Sequence, residues 1–123
     1  FADWERTYRG LLDRARQANP ALKIVLCTPF AAPCGKIVEG ALGEYYPLRQ
    51  RILAQCCVIV ERIAADYGAT LVPFHRLIAD LETRLPNGDA TYWVWDGIHP
   101  TPAGQRLMAD CWIGAAARSG VME

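Results

Sequence analysis

The chain carries no excess of charge: 13 Lys and Arg stand against 13 Asp and Glu in 123 residues. A surface built for nucleic acid or for an anionic membrane needs a positive field, so neither is expected as the main partner. No apolar run approaches the roughly 20 residues of a helical membrane span. There is no glycine-rich phosphate loop of the dinucleotide or P-loop kind, no internal repeat, no low-complexity stretch and no interdomain linker. The five cysteines, Cys27, Cys34, Cys56, Cys57 and Cys111, are too few and too irregular for a disulfide scaffold. Their odd number leaves at least one thiol free within a single chain. They form no C-x-x-C pair and have no matching His spacing, which argues against a zinc site. The adjacent Cys56 and Cys57 read as buried thiols on an apolar helix. The opening Phe1-Ala2-Asp3-Trp4 has neither a Met nor a signal-peptide pattern, so a native N-terminus is not expected there.

What is present is a 52% hydrophobic sequence of one domain's length at most, enough to bury a core. Residues 3–18 read as a helix, because Trp4, Tyr8, Leu11, Leu12 and Ala15 recur at spacings of three and four. Asn19-Pro20 ends it. Lys23 to Thr28 is a short apolar run of the kind covered on both faces of a parallel sheet. Residues 29–43, rich in Pro and Gly, read as a long loop. A second helix is expected from about Glu44 or Pro47 to Tyr67, with Leu48, Ile52, Cys56, Ile59, Val60 and Ile63 as its apolar stripe and Gly68 as its stop. Thr70–Phe74 follows as a second strand and 76–84 as a short helix. Pro86-Asn87-Gly88-Asp89 reads as a turn cluster. A last helix starts with Thr101 as N-cap and Pro102 at its first position, and frays near Ser119-Gly120.

Helical crossovers between two short strands mean an α/β chain with a parallel sheet. Two such strands alone lack the partners that cover a parallel sheet on its faces and edges. A substantial N-terminal part of the domain is therefore expected to be missing from this polypeptide or supplied by another.

The stretch that carries chemistry is Trp95-Asp96-Gly97-Ile98-His99-Pro100-Thr101-Pro102-Ala103-Gly104. Asp96 and His99 lie three apart on a turn made by Gly97 and closed by Pro100. A carboxylate so close can accept the His99 Nδ1 proton, fixing the tautomer and leaving Nε2 outward as a general base. The bland alternative is a structural Asp–His turn at a helix entrance. Trp93 and Trp95 flank the turn; they line an acyl pocket, stack on a sugar ring or pack the turn against the core. Ile98 lies where it can border an acyl site. His75, after the second strand, reads as a structural histidine, since nothing nearby has ligand spacing.

Asp96-Gly97-Ile98-His99-Pro100, extended by Thr101, Ala103, Gly104 and the helix with Trp112, resembles the last block of the SGNH hydrolases, the GDSL-type esterases and lipases. The Trp4–Arg16 helix, the KIVLCTPF strand and the TLVPF strand are similar to the second half of that family. The resemblance implies a three-layer α/β/α, flavodoxin-like fold, of which residues 1–123 form the C-terminal part. It implies hydrolysis of an acyl or acetyl ester, on a carbohydrate in one version, by a Ser-His-Asp mechanism with no metal or organic cofactor. Asp96 and His99 would be the acid and the base, and Trp95 and Ile98 would touch substrate. The family's nucleophile sits in an N-terminal Gly-Asp-Ser block, and its oxyanion donors come from that block and later Gly and Asn residues; none is found here. Ser119 is the only serine and has no elbow-like context. The resemblance thus implies a complementary segment or chain bearing the serine, and an isolated chain without activity. A non-catalytic fragment or binding module that keeps the fold is the alternative.

Overall fold

The computed structural model describes residues 1–85 and 89–122. Helix α1 (Ala2–Ala18) has Asp3 and Glu5 in its first turn and Arg16 in its last, each of the sign that the helix dipole favours. It stops at Asn19, which is extended ahead of Pro20. Strand β1 (Val25–Cys27) is shorter than the apolar run that announces it. The ladder nevertheless reaches one residue further each way, because Thr28 N–H donates to Val72 O (3.1 Å) and Thr70 N–H to Ile24 O (2.9 Å).

The expected long loop at 29–43 is a correction. It holds a 3₁₀ turn (Gly35–Val38) and a short helix, α2 (Gly40–Glu44). Gly35 and Gly40 have φ of +60° and +49°, so each glycine reverses the chain into a helical turn rather than marking open loop. Helix α3 (Tyr46–Asp66) then crosses back over the sheet, and Gly68 takes up φ +58° just beyond its end. Strand β2 (Thr70–Val72) pairs parallel with β1 in the register Val25–Thr70, Leu26–Leu71, Cys27–Val72. Helix α4 (Phe74–Arg84) begins two residues earlier than expected, since the Pro73 carbonyl accepts from both Arg76 and Leu77 N–H. Of the expected turn cluster, Pro86, Asn87 and Gly88 lie outside the described residues. Asp89 caps a 3₁₀ turn (Ala90–Tyr92) by accepting from Thr91 N–H. Helix α5 (Pro102–Arg118) is capped by Thr101 Oγ1, which accepts from Gly104 N–H at 3.1 Å.

Ile24, Leu26, Ile59, Val60, Ile63 and Ala64 form the core between sheet and α3, closed at its margin by Tyr8 and Leu12 of α1. Helix α5 packs against β2. This is an α/β structure with two parallel strands and helices packed on them, the layering of an α/β/α fold. The two long apolar stripes are only partly covered. Trp4 and Leu11 of α1 and Leu48 and Ile52 of α3 are exposed, because a sheet of two three-residue strands is too small to span either helix. Among the described residues each strand keeps one unpaired edge. A second, separate core is formed by Ala32, Cys34, Ile78, Ala90 and Val94. It is the floor of the site.

Candidate active site

The Asp96–His99 turn is a tight hairpin. Val94 and Pro100 form an antiparallel bridge, Trp95 N–H donates to His99 O (3.2 Å), and Thr101 N–H donates to Trp93 O (2.9 Å). Gly97 is its tip, with φ +89°. A Cβ there would overlap the Ile37 side chain and sit 2.6 Å from Cys34 O. On the same contact surface, a Cβ on Gly35 would lie 2.6 Å from Asp96 Cα. Ala32 N–H donates to Gly97 O (2.9 Å) and the Cys34 thiol to Val94 O (2.9 Å). Two glycines without side chains thus let the 32–37 segment press backbone to backbone against the turn. Sequence reading missed this segment as part of the site. The signal was Gly35 beside the buried Cys34 and Ile37, but only the tertiary contact gives it meaning.

The two oxygens of Asp96 have separate tasks. Oδ1 accepts from the backbone N–H of Ile98 (3.0 Å) and of His99 (2.8 Å), which locks the turn. Oδ2 lies 2.7 Å from His99 Nδ1. The His99 backbone N–H, ahead of any other favourable contact, lowers the Asp96 carboxyl from 3.8 to about 2, helped by the imidazole and the Ile98 N–H. A carboxylate so acidic is acceptor-only near neutrality, so Nδ1 must be the donor in this bond. The neutral ring therefore keeps its lone pair on Nε2. The Asp96 side chain is 14% exposed and that of His99 67%, so the acid is sheltered and the base is open.

The other expected residues are placed unequally. Ile98 joins Cys27 and Thr28 at the carboxyl end of β1, and Trp4, Tyr8 and Leu11 of α1, in the wall of a cleft of about 600 Å³. His99 is not part of that wall. Trp95 is 55% exposed and stacks on the His99 ring, with centroids 6.0 Å apart and planes 26° from parallel. Trp93 instead packs on the second core and meets Tyr92 edge-on. Ser119 is far from all of these. It bonds Ala116 O behind the last turn of α5 and shares a depression with Lys23, Ile24 and Thr70, at the amino ends of the strands. The strand carboxyl ends, where open α/β sheets carry their chemistry, face the other way.

His75 is held by other means. Its Nδ1 lies 2.8 Å from Thr28 Oγ1, which also accepts the His75 backbone N–H at 3.2 Å. Nε2 is 3.7 Å from Glu61 Oε1. Burial lowers the His75 pKa against the opposing pull of Glu61. All five cysteines are free thiols, and burial raises Cys27, Cys34 and Cys57. Among the described residues no helix is long and apolar enough to cross a membrane.

Two parallel strands with helices packed on them, and an Asp–His turn ahead of α5, make this an α/β protein. The model of the GDSL-like lipase/acylhydrolase family matches residues 1–107, and the chain belongs to that family. Its fold is similar to the crystal structure of a protein from Parabacteroides merdae described as a GDSL-like lipase. The two share 29% identity at a TM-score of 0.74, over 92% of this chain and 48% of that one. The chain thus spans about half the length of the structure it matches. No match is found among curated proteins.

Proposed function

We propose that residues 1–123 are the C-terminal part of a single SGNH-type domain which, when complete, hydrolyses acyl or acetyl esters through a serine acyl-enzyme. The observation that carries this reading is the 2.7 Å contact of Asp96 Oδ2 with His99 Nδ1, in a chain of the GDSL-like family. His99 Nε2 takes the proton of the serine hydroxyl as that oxygen attacks the ester carbonyl, then returns it to the leaving alcohol. Asp96 orients the ring and supports the imidazolium without being protonated itself. Water repeats the cycle in deacylation. Ile98 borders the acyl group, and the exposed indole of Trp95 offers substrate a flat surface. No step draws on a metal or an organic cofactor.

The serine and the oxyanion donors come from a complementary N-terminal segment or chain. The unpaired edge of β1 and the apolar wall of Trp4, Tyr8 and Leu11 beside it support this. A parallel strand added there would satisfy the open backbone groups and cover that wall. Ser119, at the far end of the strands, is no substitute.

The test is complementation. Residues 1–123 alone should cleave p-nitrophenyl acetate no faster than their His99→Ala version, because removing even one oxyanion donor costs about 10²–10³-fold and here the whole set is absent. Adding the serine-bearing segment should give turnover and phosphonate labelling of that segment. His99-dependent turnover by the isolated chain would sink the reading. So would a complex that neither labels nor turns over; that result would favour a non-catalytic module.

A further inference from the structure

We infer that Trp95 is a positioning residue for His99: its indole completes the fixing of the imidazole plane, which the Asp96 hydrogen bond alone sets only in part. The inference rests on the reading of His99 as the base.

The contact of Asp96 Oδ2 with Nδ1 sets one distance and one direction. The two side-chain torsions of His99 can still trade against each other while that contact stays within hydrogen-bond range, and Nε2, on the far side of the ring, moves with them. His99 is largely exposed, so no core packing removes the freedom. A flat partner does. The Val94–Pro100 bridge and the Trp95 N–H to His99 O bond put residues 95 and 99 directly opposite each other across the hairpin. Side chains so paired point to the same side and meet. They do meet, at 6.0 Å between centroids and 26° between planes. The backbone that carries the indole is itself braced, on one side by His99 and on the other by Gly35, whose missing Cβ would lie 2.7 Å from Trp95 O.

Two constraints from adjacent residues therefore complete each other. Asp96 sets where Nδ1 lies, and Trp95 sets which way the ring faces. Trp95 has a second face as well, which solvent or substrate can reach, so touching substrate and holding the base are compatible roles. The stack also places π-density over the ring that becomes cationic when it takes the serine proton.

The experiment has two arms. In the first, the whole 123-residue chain is studied by NMR as wild type, Trp95→Leu and Trp95→Phe. Its two histidines are told apart by His99→Ala. Leucine keeps apolar bulk without a flat face, and phenylalanine keeps the flat face. The wild type and Trp95→Phe should show ring-current shifts on the His99 ring protons and side-chain couplings of one rotamer. Trp95→Leu should lose the shifts and show averaged couplings, with the amide spectrum elsewhere unchanged. In the second arm the complemented enzyme is assayed. Trp95→Leu should lower kcat by about 10- to 100-fold, the size of effect that a small misplacement of a reacting group produces. A change in KM would report the indole's contact with substrate, so kcat is the readout of positioning, and Trp95→Phe should recover most of the kcat loss. Trp95→Leu with an ordered His99 ring, or with its whole loss in KM, would overturn the inference. If the NMR contrast appears while esterolysis ignores both His99 and Trp95, the positioning of the ring stands and the hydrolase reading is what fails.

Discussion

His99 and His75 both sit near the carboxyl ends of the strands, and they are held in opposite ways. His99 is exposed, and its Nδ1 donates to a carboxylate. His75 is half-buried, and its Nδ1 faces a hydroxyl. Thr28 Oγ1 already accepts the His75 N–H and is almost wholly buried, so its own hydrogen has Nδ1 as its acceptor. The proton of neutral His75 is then on Nε2, toward Glu61. The two rings are thus opposite tautomers. One leaves a basic nitrogen open to a reactant; the other ties the start of α4 to Thr28 through Nδ1 and turns Nε2 toward Glu61 of α3, 3.7 Å away. Surroundings rather than residue type separate a candidate base from a structural clip.

The sharpest way to break this contrast is to delete each ring in the complemented enzyme. His99→Ala should abolish most turnover, and Asp96→Asn should lower kcat by up to roughly 10⁴-fold. Asparagine can still accept the Ile98 and His99 N–H bonds through its amide oxygen, but it turns an NH₂ group toward Nδ1 and imposes the wrong tautomer. Thermal unfolding of Asp96→Asn should therefore stay close to wild type while Asp96→Ala unfolds clearly earlier. His75→Gln should keep kcat within a few-fold of wild type, a size typical of residues that act only through structure. Equal losses from His75→Gln and His99→Ala would erase the distinction.

The next effect tests the support beneath each ring. Gly97→Ala forces a side chain into φ +89° and into the Ile37 and Cys34 contacts. It should cost about 2–4 kcal/mol, from backbone strain plus overpacking, measured by urea unfolding. Gly68→Ala has a similar positive φ but open space around the new methyl, so about 1 kcal/mol of strain is expected. A Gly97→Ala cost no larger than that of Gly68→Ala would mean that the 32–37 segment does not brace the turn.

The local rules were readable because they act over a few residues. Asn19-Pro20, Gly68 and Thr101-Pro102 each mark a helix end through their own backbone preference, and Asp96 and His99 are close enough for the turn alone to join them. What the sequence hid is what depends on distant partners. Gly35 and Gly40 looked like loop residues, because a glycine that starts a helical turn and one that sits in open chain read alike. The packing of Gly35 against Asp96 joins positions 61 apart. Leu48 and Ile52 repeat with the period of a buried stripe, but the sheet ends before it reaches them. Trp93 and Trp95 are two apart in the sequence, but Trp93 ends the 3₁₀ turn in helical backbone (φ −102°, ψ −36°) and packs on the core, while Trp95, in the hairpin, meets the imidazole.

The smallest effect is in the pH dependence of stability, where the two sites should separate by pH. Burial depresses the His75 pKa below its ordinary 6.5. The unfolded chain therefore takes up a proton first, and the stability that His75 contributes is present above about 6.5 and is lost as pH falls through its lower folded value. Asp96 is held at about 2 against an ordinary 3.8. Its contribution is present above about 3.8 and is lost as pH falls through about 2. Melting temperatures of the wild type, His75→Gln and Asp96→Asn, followed from pH 8 down to 2, read both. The gap between wild type and His75→Gln should move first, on the way from roughly pH 7 toward 5, with wild type losing ground because only it carries the buried base. The gap between wild type and Asp96→Asn should change between about pH 4 and 2, where the Asp96 carboxylate is lost. Were the Asp96→Asn gap to stay flat between about pH 4 and 2, the Asp96 carboxyl would not be held by the turn amides. A His75→Gln gap that stays flat down to pH 4 would mean that His75 is free in solvent, and not the clip between Thr28 and α4.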